Sequence, residues 1–545
     1  MKRSKIRVLS IILALAFVIT GCGGGGTAKK DGANKEQTAK VIKTNNGSEP
    51  GALDPALATG THESWILEHI FEGLMKYDKD GQLVPGVAEK YEESEDKTKY
   101  IFHLRDSKWS DGKPVTAEDF EYAWKRVLNP ETAASYANQL YYIQGGEEYN
   151  TGKGSADDVK VKATDEKTLE VELNAPTSYF LELLADKTFA PVQKELVESN
   201  KDWAKDAKTH VSNGPFKLTK WEHRSKIDIE KNDEYYNADE IKLSAIQYDI
   251  IEDKNTEWQK FEGGELNYIV DPQTDTAAQL IKNKDPRINV SDMVGTYYLN
   301  LNTEVKPLDN VKVRQALSMA IDRQSIVDNV VQGGQKTASG IVPYGIFDET
   351  GKKEFRDTAE DLIVEDVSKA KELLKEGLEE TGMTAEDFSK MTILYNTDET
   401  HKKVMQAVQE MWKQNLGIDV QLENAEFQVK LDREKAGDYQ ISRAGWLGDY
   451  LDPTTMMDLW LIDGPFNDAN WTNEEYDKLV KDAMVSPDAK KRMDEFREAE
   501  KIIMNEMPII PIYFYNQAQV SDASIKGVVN TAQNYPSFIY ADIVE

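Results

Sequence analysis

The chain has 545 residues, 40% of them hydrophobic and ten of them tryptophan, which excludes a disordered chain and predicts a packed globular body. Its 66 basic and 96 acidic side chains leave a net charge of −30, which excludes nucleic acid as a partner, because phosphates demand basic surface. A single cysteine excludes an intrachain disulfide and any cysteine-based metal site. In chain order, the first segment opens with Lys2, Arg3, Lys5 and Arg7 and continues as an apolar run from Val8 to Ile19. That run is shorter than the roughly 20 residues of a stable bilayer span, so it reads as an export signal.

The signal ends in Ile19-Thr20-Gly21-Cys22, which resembles the lipobox of bacterial lipoproteins: apolar, small, small, cysteine. The resemblance implies a signal peptide over 1–21 and a diacylglyceryl group on Cys22, the first residue of the mature chain. The alternative is an ordinary secretory signal with an incidental cysteine. Loss of the four basic signal residues takes the net charge from −30 to −34, and such an acidic body is held off an anionic membrane. Gly23 to Gly26 and the polar stretch after them make 22–40 a flexible tether. No later apolar run is long enough to span a bilayer. The remaining chain, about 500 residues, exceeds what one hydrophobic core organises and predicts two or three lobes.

The body begins near Val41. Asn45 to Pro55 is rich in turn formers, and a helix is expected after Thr61, with Ser64 as its cap and Trp65, Ile66, His69, Ile70 and Leu74 on one side. Tyr100–Arg105 and Thr168–Leu173 alternate as half-buried strands do, with a turn at Asp111-Gly112-Lys113-Pro114 and a helix from about Ala117 to Leu128 between them. Ser212 to Pro215 is a turn before the strand Phe216–Leu218, and Lys226–Glu230 alternates again. Gly295–Asn302 is a strand whose adjacent tyrosines, Tyr297 and Tyr298, point to opposite faces, so that one is core and the other lines a cleft. Helices follow at Val311–Val327 and at His401–Leu416, the latter buried along Val404, Val408, Met411 and Trp412 and stopped by Gly417. A last long helix runs from Ser486-Pro487 to Met507-Pro508, and Ile509–Tyr515 is a buried strand. Strands and helices mixed without a short repeat predict α/β or α+β lobes.

Motifs of zinc hydrolysis, serine hydrolysis and phosphate binding are missing, while paired carboxylates for glycoside chemistry, being defined in space, stay open among the 96 acids. The six histidines include no pair at metal-site helical spacing and no His-Glu-x-x-His. There is no Gly-x-Ser-x-Gly elbow, and Gly146–Ser155 is a phosphate loop in outline only, because Lys153 is one residue too far along and Gly154 replaces the needed hydroxyl. It reads as an exposed turn.

Arg443-Ala444-Gly445-Trp446-Leu447-Gly448-Asp449-Tyr450-Leu451-Asp452-Pro453 is different. A guanidinium, an indole and a carboxylate share a segment broken by Gly445 and Gly448, which is a poor core strand and a good binding edge. A peptide pairs with such an edge while its side chains enter flanking pockets, and Asp449 then faces a cation such as a free amino group. The plain alternative is a surface loop with a packed tryptophan.

Several segments together carry a resemblance: Asn45 to Pro55, Tyr100 to Leu128 with Trp109 to Gly112 and Ala117 to Phe120, Val211 to Phe216, Pro307 to Arg323, Tyr395 to Thr397, and Arg443 to Pro453. From about Val41 to its end the chain resembles bacterial extracellular solute-binding proteins of family 5, in particular the oligopeptide-binding (OppA-type) lipoproteins of peptide ABC importers. The resemblance implies an α/β, periplasmic-binding-protein-like fold of the large three-part form of class II, with two lobes closing over a central cleft. Lobe I is then discontinuous, 41–75 with 199–300 and 516–545; an additional subdomain, 76–198, packs on it; and lobe II is 301–515.

It implies further that an oligopeptide lies as an extra strand between Thr59-Gly60-Thr61 and Gly445-Trp446-Leu447. Asp449 receives the peptide's amino terminus, Arg443 and His401 meet the carboxyl terminus of short ligands, and Tyr136, Tyr298, Phe427 and Trp446 line side-chain pockets. The implied protein is a receptor and not an enzyme, without cofactor or metal. It is a monomer on the extracytoplasmic face of the cell membrane, lipid-anchored as in Gram-positive bacteria, and serves the permease and ATPase subunits of an importer. Two departures stand out: Phe427 where relatives commonly carry tryptophan, and Glu434 where some place an arginine and where a carboxylate would repel a peptide C-terminus. The alternatives are a same-fold binder of a nickel chelate, haem or a sugar, a receptor for peptide pheromones, and a secreted hydrolase.

Overall fold

Two long antiparallel strands, Ile288–Leu301 and Ile509–Ser521, form the spine on which the other elements are hung. The computed structural model describes residues 39–58, 60–462, 464, 466–530 and 536–544; the stretch read as an export signal, Cys22, nearly all of the stretch read as a tether and Thr59 lie outside the described residues. The spine belongs to a seven-stranded sheet in the order Tyr268–Val270, Ile509–Ser521, Ile288–Leu301, Ile441–Leu447, Thr392–Asn396, Gln421–Ala425, with Lys336–Thr337 also paired to Ile509–Ser521. Two four-stranded sheets stand apart from it. One is Val41–Asn45, Ala245–Asp249, Lys226–Lys231, Phe216–Glu222, and the other is Ala88–Glu93, Lys99–Leu104, Thr168–Glu172, Val161–Asp165.

Apolar side chains explain this grouping. Ile42, Trp65, Phe102, Trp124, Phe216, Ile246 and Phe538 share one core, which covers both four-stranded sheets. The centre of the large sheet is buried on both faces. Tyr297, Leu299 and Leu301 point into a core with Leu317, Ile393, Val408 and Trp412, while Val294 and Tyr298 point the other way, to Met456, Trp460, Phe496 and Ile503. The strand period of two therefore separates the adjacent tyrosines as expected. Both are buried, however, Tyr298 at 6% exposure with its ring edge-on to Trp460, because helices cover the second face too.

Most elements fall where the sequence indicates, and three differ for local reasons. The first helix is Thr61–Ile70, and its start is capped from inside: the Glu63 carboxylate accepts the Gly60 N–H, while Ser64 lies in the first turn and donates to the Gly60 carbonyl. The helix expected over Val311–Val327 breaks into Val311–Met319 and Arg323–Ile326. Asp322 caps the second piece by accepting the Ser325 N–H at 2.8 Å, and the buried Arg323 guanidinium takes the carbonyls freed at Ser318 and Ile321. The stretch expected as an exposed turn at Gly146–Ser155 begins with a helical turn, Gly146–Asn150.

Candidate open-edged cleft at Arg443–Leu447

The strand Ile441–Leu447 is paired along its whole length on one side only. Every residue from Ile441 to Leu447 has a partner in Leu301–Gly295, but on the other side the parallel strand Thr392–Asn396 contributes only Ile393 and Leu394, opposite Ile441 and Ser442. The two parallel strands then splay, and Arg443–Leu447 keeps an open edge inside the sheet. The Gly448 N–H bonds to the Val294 carbonyl at 2.7 Å, so strand alternation turns the N–H and C=O of Gly445 and Leu447 outward. This gap lies at the carboxyl ends of parallel strands, where open α/β sheets hold their ligands.

Glycine is required here. A Cβ on Gly445 would collide with the Tyr515 hydroxyl, and one on Gly448 would lie 2.6 Å from Val294 Cγ1. Leu447 is exposed, and Trp446 is half-buried with its ring 4.9 Å from that of Phe466. Gly60 and Thr61 also reach solvent, and no hydrogen bond joins them to Gly445–Leu447 among the described residues.

Just beyond the open edge, Asp449 is anchored by its own N–H to Thr455 Oγ1 at 3.0 Å. Its carboxyl reaches solvent but is crowded by protein; that desolvation, with Asp186 adding and Lys187 opposing, pushes its pKa up to about 6. Tyr136 belongs to the same corner, half-buried with the Lys187 ammonium 5.2 Å from its ring centre. The next two residues cross to the other core, Tyr450 stacking on Tyr179 at 4.4 Å and Leu451 N–H donating to Glu182 at 3.1 Å, and Asp452 returns to pair with the buried Arg492 of the helix Ala489–Glu506. Asp449 is thereby held by contacts from both cores.

On the inner side of the edge, Arg443 is buried at 9% exposure, donates to Tyr515 Oη at 2.8 Å and to Asn396 Oδ1 at 3.4 Å, and lies over the Tyr297 ring at 4.5 Å. No carboxylate of the described residues forms an ion pair with it. His401, in the first turn of Glu399–Leu416, is 3.4 Å from Tyr297 Oη. Burial and the neighbouring Arg443 and Lys430, opposed by Asp398, bring its pKa down to about 4, so the imidazole is neutral at neutral pH and can only donate or accept hydrogen bonds. Phe427 is 53% exposed at the start of the helix Phe427–Lys435.

Glu434 is not a free surface carboxylate: its side chain is 2% exposed and accepts a hydrogen bond from the equally buried Lys430 ammonium at 2.6 Å. The sequence carried a signal for this pair in its spacing of four residues on a helix.

Comparison with known proteins fixes what this architecture is. The profile of the bacterial extracellular solute-binding proteins, family 5 (middle part), matches residues 82–468. The chain belongs to that family. Among family 5 proteins, the oligopeptide-binding protein OppA of Bacillus subtilis is 44% identical over 531 residues, 96% of either chain. The open, unliganded form of the periplasmic murein tripeptide-binding protein MppA superposes with a TM-score of 0.80 at 31% identity, covering 93% of this chain and 98% of that one. Haemophilus influenzae OppA in complex with the peptide RPPGFSPFR gives 0.74 at 32% identity, covering 93% and 99%. The periplasmic-binding-protein-like α/β fold expected from the sequence is thus the family 5 fold, and the family is one of solute-binding receptors outside the cytoplasm.

Proposed function

We propose that this protein is a lipid-anchored receptor that captures oligopeptides and delivers them to an ABC-type peptide permease. The observation that carries this reading is the open edge of Arg443–Leu447, which offers main-chain donors and acceptors to any extended chain. Each such hydrogen bond nets only roughly 0.5 to 1.5 kcal/mol, but all are independent of ligand sequence. Asp449 receives the terminal ammonium common to free peptides, and Gly60-Thr61 lines the opposite side of the ligand strand. Arg443 takes a ligand carboxylate, with the neutral His401 as a hydrogen-bonding neighbour. Tyr136, Trp446 and Phe427 bound the side-chain pockets, and Tyr298 supports them from beneath.

Separate hydrophobic cores support a division into lobes, with the spine residues Val294–Leu299 packing into the cores of the second. Lobe I comprises 41–75, 199–300 and 516–545 with the subdomain 76–198, and lobe II comprises 301–515; the spine strands run between them. The higher TM-score against an open, unliganded relative supports an open cleft in the conformation described. Cys22 carries the lipid, the mature protein is a monomer, and it performs no catalysis.

Native mass spectrometry of the tag-free mature protein, followed by denaturation and sequencing of what is released, tests the reading. Mixed peptides sharing a narrow length are expected. A single non-peptide mass, or an empty protein that peptides fail to shift, overturns it.

A further inference from the structure

The core that covers the two four-stranded sheets contains a cavity of about 80 Å³, several times what one water needs. It lies between the helix Thr61–Ile70, the strand Met75–Tyr77, the turn at 185–190 and the chain at 537–540. Neither Thr61 nor residues 443–449 line it, although Asp186 and Lys187 belong both to its wall and to the surroundings of Asp449. The cavity is therefore separate from the open strand edge.

Much of the wall is apolar, with Phe71, Met75 and Ile539, and its polar groups divide into those that are satisfied and those that are not. Glu72 is satisfied: its carboxylate accepts the hydroxyls of Tyr235 and Tyr236 and the Lys76 ammonium. Lys187 stands 3.7 Å from Asp186, so that ammonium already has a counter-charge. Glu68 has none. No hydrogen bond or ion pair joins its carboxyl to a described residue, and the Tyr77 hydroxyl is likewise buried without a hydrogen-bond partner. The titratable groups that act on Glu68 are Asp186 and Lys187 from the turn, Tyr77 from its strand and Tyr248 from the strand Ala245–Asp249. Desolvation, with Asp186 adding and Lys187 opposing, pushes the Glu68 pKa up to about 8, so the carboxyl holds its proton at neutral pH.

Buried polar groups are paired in a finished core. Water alone would use neither the apolar wall nor the excess of acid, since Glu68 and Asp186 share the single Lys187 ammonium. An ammonium on a short alkyl chain suits both features: its N–H groups match carboxylate and hydroxyl oxygens, and its chain matches Phe71 and Met75. We propose that this cavity is a second ligand site, distinct from the peptide cleft, that takes a small primary ammonium with Glu68 as its counter-ion and the Tyr77 hydroxyl as a further acceptor. A cation beside Glu68 favours the carboxylate, so binding releases the Glu68 proton to solvent.

Isothermal titration of the mature protein carrying Asp449→Ala, which removes the ammonium site of the cleft, tests this. The probes are n-propylammonium, n-propanol and propionate, in enough sodium chloride to screen the acidic surface. One site is expected, with the ammonium binding about tenfold or more tightly than the alcohol or the acid. Glu68→Gln, which keeps the shape of the protonated side chain, should abolish that preference, and Tyr77→Phe should weaken binding about threefold or more. Between about pH 6 and pH 9 the amine stays charged while Glu68 gives up its proton, so affinity should rise about tenfold or more. At neutral pH, buffers of different ionisation enthalpy should report about one proton released per amine bound.

No binding, equal binding of alcohol and ammonium, a preference that survives Glu68→Gln, or an affinity indifferent to pH overturns the proposal. None of these outcomes touches the peptide-binding reading, which fails only if peptides do not bind the wild-type protein. Should Glu68→Gln not fold, the proton count and the pH dependence of the Asp449→Ala protein decide by themselves.

Discussion

At the scale of single residues, Asp449 and Gly445 make the sharpest predictions. An ammonium prefers the charged form of Asp449, so a peptide complex holds fewer protons than the empty protein near pH 6, where that carboxyl titrates. Peptide affinity is therefore full above about pH 6 and declines as the pH falls through it, which calorimetry on either side of that value will show. Asp449→Ala should weaken binding about a hundredfold to a thousandfold, and a loss under about threefold removes its assignment. Gly445→Ala forces Tyr515 aside and with it the hydroxyl that holds Arg443, so affinity for free-acid peptides should fall roughly tenfold. Arg443, Gly445, Trp446 and Asp449 were legible because their chemistry is concentrated in one short run. Lys430 was not. On paper Lys430 and Glu434 look like Lys478 and Asp482 or Lys490 and Asp494, helical pairs of the same spacing that lie in solvent, and only tertiary packing tells them apart.

At the scale of elements, the helix Ala489–Glu506 is fastened through one carboxylate. Glu500 accepts the N–H groups of Ile341 and Val342 at 2.8 and 3.0 Å and both Arg356 terminal nitrogens at 2.8 and 2.9 Å, with only 1% of either side chain exposed. Glu500→Ala leaves Arg356 buried and uncompensated and should cost about 3 to 5 kcal/mol in denaturant unfolding of the mature protein. Regular strands and helices were readable wherever one face was buried and the other wet, as in Lys99–Leu104 and Ala117–Leu128. The spine was readable only in part. Its stretch Ile288–Val294 is mostly half-exposed or exposed and alternates only over Ile288-Asn289-Val290-Ser291, too short a run to mark a strand, and its pairing comes from Asn516–Val520 far along the chain. Likewise, the break after Met319 depends on where one arginine finds its carbonyls.

At the scale of the whole molecule, the order of segments was legible from resemblance, but the bracing of Asp449 by contacts such as Tyr450 on Tyr179 was not, because it joins residues 271 positions apart in sequence. Closing of two lobes on a ligand shortens the molecule, so peptide should lower the radius of gyration measured by small-angle X-ray scattering, and Asp449→Ala at the same peptide concentration should respond less. The open edge has a second consequence. Unpaired strand edges are the usual seeds of sheet-to-sheet aggregation, and this one must stay unpaired to work. It is only five residues long, begins at a buried arginine and is recessed between two strands of its own sheet. A single extended chain can enter such a slot, whereas the edge of another folded sheet, with neighbours behind it, cannot. The same recess that admits ligands therefore keeps copies of the protein from polymerising through it.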